Sequence, residues 1–266
     1  MRADKYFSEK FGSRTKSAEA IEKGWVLVNG KRIKPKDEIK DTDSIEFIET
    51  DERFVSNGGY KLARAVEQFG VSFKDKVFAD IGASTGGFTD CLLQNGAKRV
   101  YAIDVGESLL HESLLSNENV IRMENTNARY LTKTDFPETI DGVVTDVSFI
   151  SLRHIFPAIK RLLAEQGEAI VLVKPQFECE KKHVGKSGIV SPSMHEKIVE
   201  KVLGFALENG LYPMDITNAP IRKGKNVEYV LRLATTPKLA EDTKRILKKV
   251  KDIHTQMVLE RKTKDE

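Results

Sequence analysis

Cysteine and tryptophan are scarce, with two and one in a chain of 266 residues. Cys91 and Cys179 are too few for a disulfide framework or a zinc site, so no metal is expected and a reducing, cytoplasmic compartment fits. No apolar run approaches the roughly 20 residues that cross a bilayer. The stretch MRADKYFSEKFGSR has basic residues with no apolar segment behind them, so neither a secretory signal nor a membrane partner is expected. Internal repeats and low-complexity tracts are missing, and so is the G-x-G-x-x-G spacing of a dinucleotide fingerprint.

What is present is a globular composition, 40% apolar and 31% charged, long enough for one sizeable core and a small accessory module. The net charge of +3 is unevenly placed. Residues 1–36 carry ten Lys/Arg against four acids, and residues 37–52 carry eight acids against Lys40 alone. Charge by itself fits a solvated face of mixed sign at least as well as a directional electrostatic surface.

Two patterns divide the chain. In residues 1–50, a helix is expected over KSAEAIEKG, closed by Gly24 as a C-cap. WVLVNGKRI reads as a hairpin about Asn29-Gly30, and DSIEFIE as a further strand. A polar connector is expected over 51–59. From Tyr60 to residue 236, apolar strands alternate with amphipathic helices, the pattern of a parallel α/β sheet covered on both faces. Within it a long helix is expected over SLRHIFPAIKRLLAEQG and an antiparallel edge hairpin from LYPMDITNAP and VEYVLRLA. Residues 237–266 read as a basic terminal helix that frays.

The first strand of the larger region ends in Asp80 and runs into Ile-Gly-Ala-Ser-Thr-Gly-Gly. Ligands of open α/β sheets sit beyond the carboxyl ends of the strands, where such a turn lets backbone come close. An acid ahead of the first glycine suits S-adenosylmethionine, whose charged end is an amino acid, better than a pyrophosphate. Asp104, ending the second strand, is placed to accept from ribose hydroxyls. A tight strand-to-helix turn with no ligand is the plain alternative.

Further charges map to the same sheet edge. Asp146 ends VVTD, Lys174 ends IVLVK just before Pro175, Glu228 opens the last strand, and Lys61 lies in the helix before the first strand. A lone Lys or Glu is ordinarily a surface charge. Several at one edge are a candidate site.

These residues resemble the TlyA-type 2′-O-methyltransferases of ribosomal RNA, an S4 domain joined to a Rossmann-like FtsJ methyltransferase domain, a family also labelled hemolysin A. The resemblance runs over about residues 1–235, through the opening 39 residues, SNGGYKL, DIGASTGGFTD, TDVSFISL and VLVKPQFE. It implies a catalytic tetrad at Lys61, Asp146, Lys174 and Glu228. It implies S-adenosylmethionine as cofactor, held by Asp80, Gly82, Ala83, Ser84, Gly86, Gly87, Phe88, Asp104 and Asn127, with a turn cap as the plainer reading of Asn127. It also implies contacts to rRNA or ribosomal subunits from Arg2, Lys5, Arg14, Lys16, Lys31 and Arg32, with cytidines of 16S and/or 23S rRNA as targets. Where the family often has a basic residue after Val-Ser, this chain has Asn57.

Methyl transfer to a hydroxyl needs alignment and a group to meet the departing proton, and Lys174 is the expected one, as base or as positioner. Phe149 and Phe177 are stacking candidates, with core packing as the plainer reading. His183 has no partner motif that makes it a ligand or an acid/base group. The rival readings are an NAD-dependent oxidoreductase, a non-catalytic RNA-binding protein on the same fold, and a hemolysin.

Overall fold

Both residues of the Asn29-Gly30 turn have positive φ, 52° and 71°, the conformation that a two-residue hairpin of this twist requires. In this computed structural model the described residues are 1–40, 42–47, 53–185, 187–221 and 224–262, without the side chains of Lys16, Lys23 and residues 256–262. They form two units, Met1–Arg53 and Phe54–Glu266. The larger unit thus begins inside the segment expected as a connector, because Phe54 is buried in its core.

The small unit holds helices α1 (Ala3–Tyr6) and α2 (Arg14–Lys23) and strands β1 (Val26–Val28), β2 (Lys31–Arg32) and β3 (Ile45–Phe47). The strands form an antiparallel sheet in the order β2-β1-β3. Ala3, Phe7, Ile21, Val26, Val28 and Ile39 close a core beneath it. Gly24, at φ 79°, ends α2 as its position suggests.

The large unit runs α3 (Asn57–Phe69), β4 (Val77–Ile81), α4 (Gly87–Gln94), β5 (Arg99–Ile103), α5 (Glu112–Leu115), β6 (Val120–Met123) and β7 (Ile140–Thr145). There follow α6 (Phe156–Leu162), β8 (Leu163–Val173), α7 (Pro175–Glu178), α8 (His195–Glu208), β9 (Tyr212–Asn218), β10 (Tyr229–Ala234) and α9 (Thr243–Lys262). The sheet order is β6-β5-β4-β7-β8-β10-β9, with β4 to β8 parallel and β10 antiparallel to both neighbours. The chain runs outward from β4 to β6, then returns to β7 on the other side of β4. That reversal opens a crevice beyond the ends of β4 and β7.

One expectation needs correction and two gain detail. The long helix over 151–167 is only the seven residues of α6, because Leu163 pairs with Ile140 and opens β8. The final antiparallel hairpin stands at the sheet edge as expected, with its second strand on the inside. β10 inserts between β8 and β9, since its residues are buried on both faces, whereas β9 mixes buried and half-buried positions and takes the edge. The terminal helix is present as α9 and is anchored at its start, where Ile246 and Val250, one turn apart, are fully buried in the core of the large unit; residues 263–266 lie outside the described residues.

Candidate active site

Strand ends at one edge of the sheet bring the tetrad together. Asp146 follows β7 and Lys174 follows β8, its neighbour in the sheet. Tyr229 pairs with Val173 across the β10–β8 ladder, so Glu228 arrives beside Lys174. Lys61 reaches the same point from α3, whose apolar residues Leu62, Ala63 and Ala65 are buried.

The four side chains form a chain of alternating charge. Lys174 Nζ lies 2.6 Å from Asp146 Oδ1, as an ion pair not aligned along a hydrogen-bonding direction. Lys61 Nζ lies 3.1 Å from Asp146 Oδ2 and 2.8 Å from Glu228 Oε2. Lys174 also donates to Ser148 Oγ at 2.8 Å and to the Asp146 carbonyl at 3.4 Å. All four are largely withdrawn from water, Lys174 the most, at 8% exposure. Two cations and two anions cancel, which is how the fold keeps them there; removing one would strand an uncompensated charge at a cost of about 3–5 kcal/mol. Burial pushes the Lys61 ammonium down, but Asp146 and Glu228 outweigh it and hold its pKa above the ordinary lysine value. Lys61 is therefore the locked cation, and Lys174 has a single carboxylate that it shares.

A cavity of about 400 Å³ reaches this chain at Asp146, lined also by Gly82, Ser84, Asp104, Asn127 and Ser148, with Ile103, Val105, Leu109 and Ile155 among its apolar walls. The turn after β4 is made for a close backbone path: Gly82, Ser84 and Gly86 have φ of 82°, 49° and 89°. A Cβ on Gly86 would stand 2.2 Å from Leu114 Cδ1. Asp104 ties the turn down, accepting from the Ser84 amide at 2.8 Å and the Gly106 amide at 2.9 Å. Asn127 lines the cavity while its Oδ1 accepts from the Arg129 amide, capping a short helix.

Other expected cofactor residues stand behind the turn. Phe88 is buried in the core under α3 and α4. Gly87 allows these two helices to meet, since a Cβ there would fall 2.8 Å from the Gly59 amide nitrogen. Ala83 is buried and its amide bonds the Ile103 carbonyl. Asp80 is fully buried; Thr89 donates to its Oδ2 at 2.7 Å, and its Oδ1 has no partner. Burial, with the charges of Asp146 and Asp104 adding to it, raises Asp80 to about 7 despite the Thr89 bond. An orphaned buried carboxylate oxygen, a positive-φ turn and two polar groups on the next strands fit a ligand with an ammonium end and a ribose, as S-adenosylmethionine has.

Sequence reasoning missed Ser148 and Gln176. Each lies two residues beyond a tetrad member, in TDVS and KPQ, and that interval after a strand end was the signal available. Phe149 is no core residue: it is 91% exposed, held at φ 64°, with its ring centroid 5.0 Å from that of Phe177. A non-glycine residue in that region is strained and needs a reason. Half-buried His183 sits in a short 3-10 turn, and among the described residues no group of three or more His, Cys, Asp or Glu could hold a metal.

In the small unit, Asp4 fixes two of the expected RNA contacts. Its Oδ2 lies 2.9 Å from Arg2 Nη2 and 3.1 Å from Arg14 Nε, and the Arg2 hydrogen bond leads in holding the carboxyl below its usual range. Lys5, Lys31 and Arg32 are exposed, and the Lys16 side chain lies outside the described residues.

Comparison with known proteins agrees with this geometry. The FtsJ-like methyltransferase family matches residues 54–234 and the S4 domain residues 1–45. Hemolysin A of Brachyspira hyodysenteriae is 42% identical over 236 residues, covering 86% of this chain and 98% of that one. The 16S/23S rRNA (cytidine-2′-O)-methyltransferase TlyA of Mycobacterium tuberculosis is 39% identical over 227 residues, covering 84% and 85%. A solved structure from Streptococcus thermophilus, to which a hemolysin role has been ascribed, is 37% identical, with a TM-score of 0.79 over 100% of this chain and 98% of that one. With an S4 domain ahead of an FtsJ-like sheet, and relatives of this identity over most of its length, the chain belongs to the TlyA family of FtsJ-like methyltransferases.

Proposed function

We propose that this protein transfers the methyl group of S-adenosylmethionine to the ribose 2′-hydroxyl of cytidines in 16S and/or 23S rRNA, in the cytoplasm. The observation that carries the reading is the buried ion pair of Lys174 and Asp146 at the ends of adjacent strands, beside the cavity of the glycine turn. The name of the M. tuberculosis relative supports the substrate.

Asp104 and Asn127 are placed for the nucleoside part of the cofactor, and the 82–87 turn with Asp80 behind it for the amino-acid part. Bound there, the cofactor supplies an already activated methyl group, so the protein's task is alignment and proton handling. As the 2′-oxygen gains the methyl group, its proton has to leave. Lys174 meets it, as a neutral amine that accepts the proton or as an ammonium that orients the oxygen: Lys61 is held charged by two carboxylates, whereas Lys174 is steered by Ser148 and by the carboxylate it shares. Asp146 aims both ammonium groups, and Glu228 balances Lys61.

The S4 unit supplies phosphate contacts through Arg2, Lys5, Arg14, Lys16, Lys31 and Arg32, which give affinity and register rather than base reading. Strained and exposed, Phe149 is a stacking platform for RNA near the cavity. The test is to map ribose methylation by mass spectrometry in rRNA from cells with and without the gene. Complementation with Lys174→Ala should restore no methyl group, and identical maps in all three strains would defeat the reading.

A further inference from the structure

Members of the tetrad line two different cavities, Asp146 the one at the glycine turn and Lys61 with Glu228 another. The second one, of about 490 Å³, shares Lys61 and Glu228 with the chain of charges and none of the residues of the glycine turn. Tyr60, Gln176, Asn226 and the exposed Lys225 also line it, and the reading above assigns it nothing.

Its walls differ in how their polar groups are spent. Asn226 uses both ends of its amide within the protein: Oδ1 accepts from the Val190 amide at 2.8 Å, and Nδ2 donates to the Gly188 carbonyl at 2.8 Å. Those bonds tie residues 188–190 to the loop before β10 and fix the cavity's outer wall. Gln176 is the contrast. It is half-buried, two residues past Lys174, and its Oε1 is buried without any hydrogen-bond partner. An unsatisfied buried acceptor costs about 1–3 kcal/mol, so a fold keeps one where something else satisfies it. In its present setting this oxygen is buried, and the terminal amide torsion is soft, so rotation of the amide would bring it out to the cavity. Tyr60 offers a ring for a planar occupant, held edge-on against Phe54 at 5.2 Å between centroids, and Lys225 offers a charge for a phosphate.

We propose that this second cavity seats the base of the target nucleotide, and that Gln176 Oε1 accepts a hydrogen bond from its exocyclic amino group. This makes Gln176 the residue that selects cytosine over uracil. The inference rests on the methyl-transfer reading for its location, but it is separate in content. Cytosine carries a donor, N4–H, where uracil carries the acceptor O4, so an oxygen at that point pairs with the first and repels the second. With the base in this cavity and the methyl donor in the other, the ribose falls between them, at Lys174. Turning the amide over would put Nε2 inward and invert the preference, so the sign of the discrimination is itself a reading of the assignment.

The test uses the full-length protein, S-adenosylmethionine with a labelled methyl group, and 16S and 23S rRNA transcripts. The methylated cytidine is mapped first, and kcat/KM is then compared on the same transcript with that cytidine replaced by uridine. The wild type should prefer cytidine by about tenfold or more, one hydrogen bond's worth of discrimination. Gln176→Met, which keeps the length and loses the amide, should bring the two rates together, with cofactor affinity unchanged as the sign of an intact fold. Gln176→Glu, which keeps acceptors, should retain the preference. Equal rates in the wild type, a preference for uridine, or an undiminished preference in Gln176→Met would each overturn the assignment while leaving the methyltransferase in place. Failure of the wild type to methylate any ribose would overturn the reaction and the assignment together.

Discussion

The two units use the same residues in opposite ways. In the small unit, Arg2 and Arg14 are more than half exposed around one buried carboxylate, and Lys5, Lys31 and Arg32 stand in water. In the large unit, Lys61 and Lys174 are largely buried and each is matched to an acid. Exposed cations act at a distance and are screened by salt, whereas buried ones are position-specific and little screened. One arrangement suits gathering a polyanion, and the other suits one proton at one oxygen.

The largest test of that contrast is Lys174. Lys174→Ala should lower kcat by about 100- to 10,000-fold, the range for a lost general base, with cofactor binding measured by calorimetry near normal. Lys174→Arg keeps the charge but holds its proton too tightly to serve, and should be just as inactive. Activity in the arginine variant would make this residue a positioner and weaken the distinction between the units.

Next in size is a buried neutral histidine outside the site. His195 at the start of α8 contacts Tyr229, which also bonds His254, and burial followed by the His254 charge pushes His195 down to about 4. A depressed folded value gives stability that is complete above the unfolded value, near 6.5, and is lost as pH falls toward 4. Across that window the wild type should lose up to about 3 kcal/mol relative to His195→Gln. Asp80 acts with the opposite sign over an overlapping range, its raised value favouring the folded state at low pH. It is common to both proteins and cancels in the difference. Denaturant melts at several pH values measure it, and parallel curves would place His195 in water.

A smaller effect is expected at the turn. Gly86→Val puts a β-branched residue at φ 89° and its Cβ into Leu114, a strain of about 1–3 kcal/mol, so cofactor affinity should fall about tenfold. Titration with S-adenosylmethionine gives the number, and unchanged affinity would remove the turn from the binding site. The mildest change belongs to the small unit. Lys31→Ala with Arg32→Ala should leave kcat alone, weaken RNA binding several-fold, and reduce the slope of log affinity against log salt by about 2, one per phosphate contact. An unaltered slope would show that these cations do not meet RNA.

Legibility from the sequence followed locality. The Asn29-Gly30 hairpin, the Gly24 cap and the glycine turn are set by backbone sterics within a few residues, and each was readable. Strand ends bearing Asp146 and Lys174 were readable because a charge after an apolar run has few places to go. Gln176 and Ser148 were not, because a polar residue in a loop looks the same whether its oxygen is solvated, bonded or orphaned. The α6–β8 boundary was misread since Leu163 is decided by its pairing with Ile140 and not by its neighbours in the chain.

By itself, then, the order of residues determined the alternation of strand and helix, the special turns, the surplus of cations near the start and the membership of a family. Only the tertiary structure decided that β10 lies inside the sheet, that α9 is core, that Lys61 is gripped by two acids and Lys174 by one, and that Asp146 lines one cavity while Lys61 and Glu228 line another. The reason is range: steric preference acts over neighbouring residues, while burial, ion pairing and unsatisfied polar atoms depend on groups such as Lys61 and Asp146, 85 residues apart in the chain, that meet only when the sheet closes.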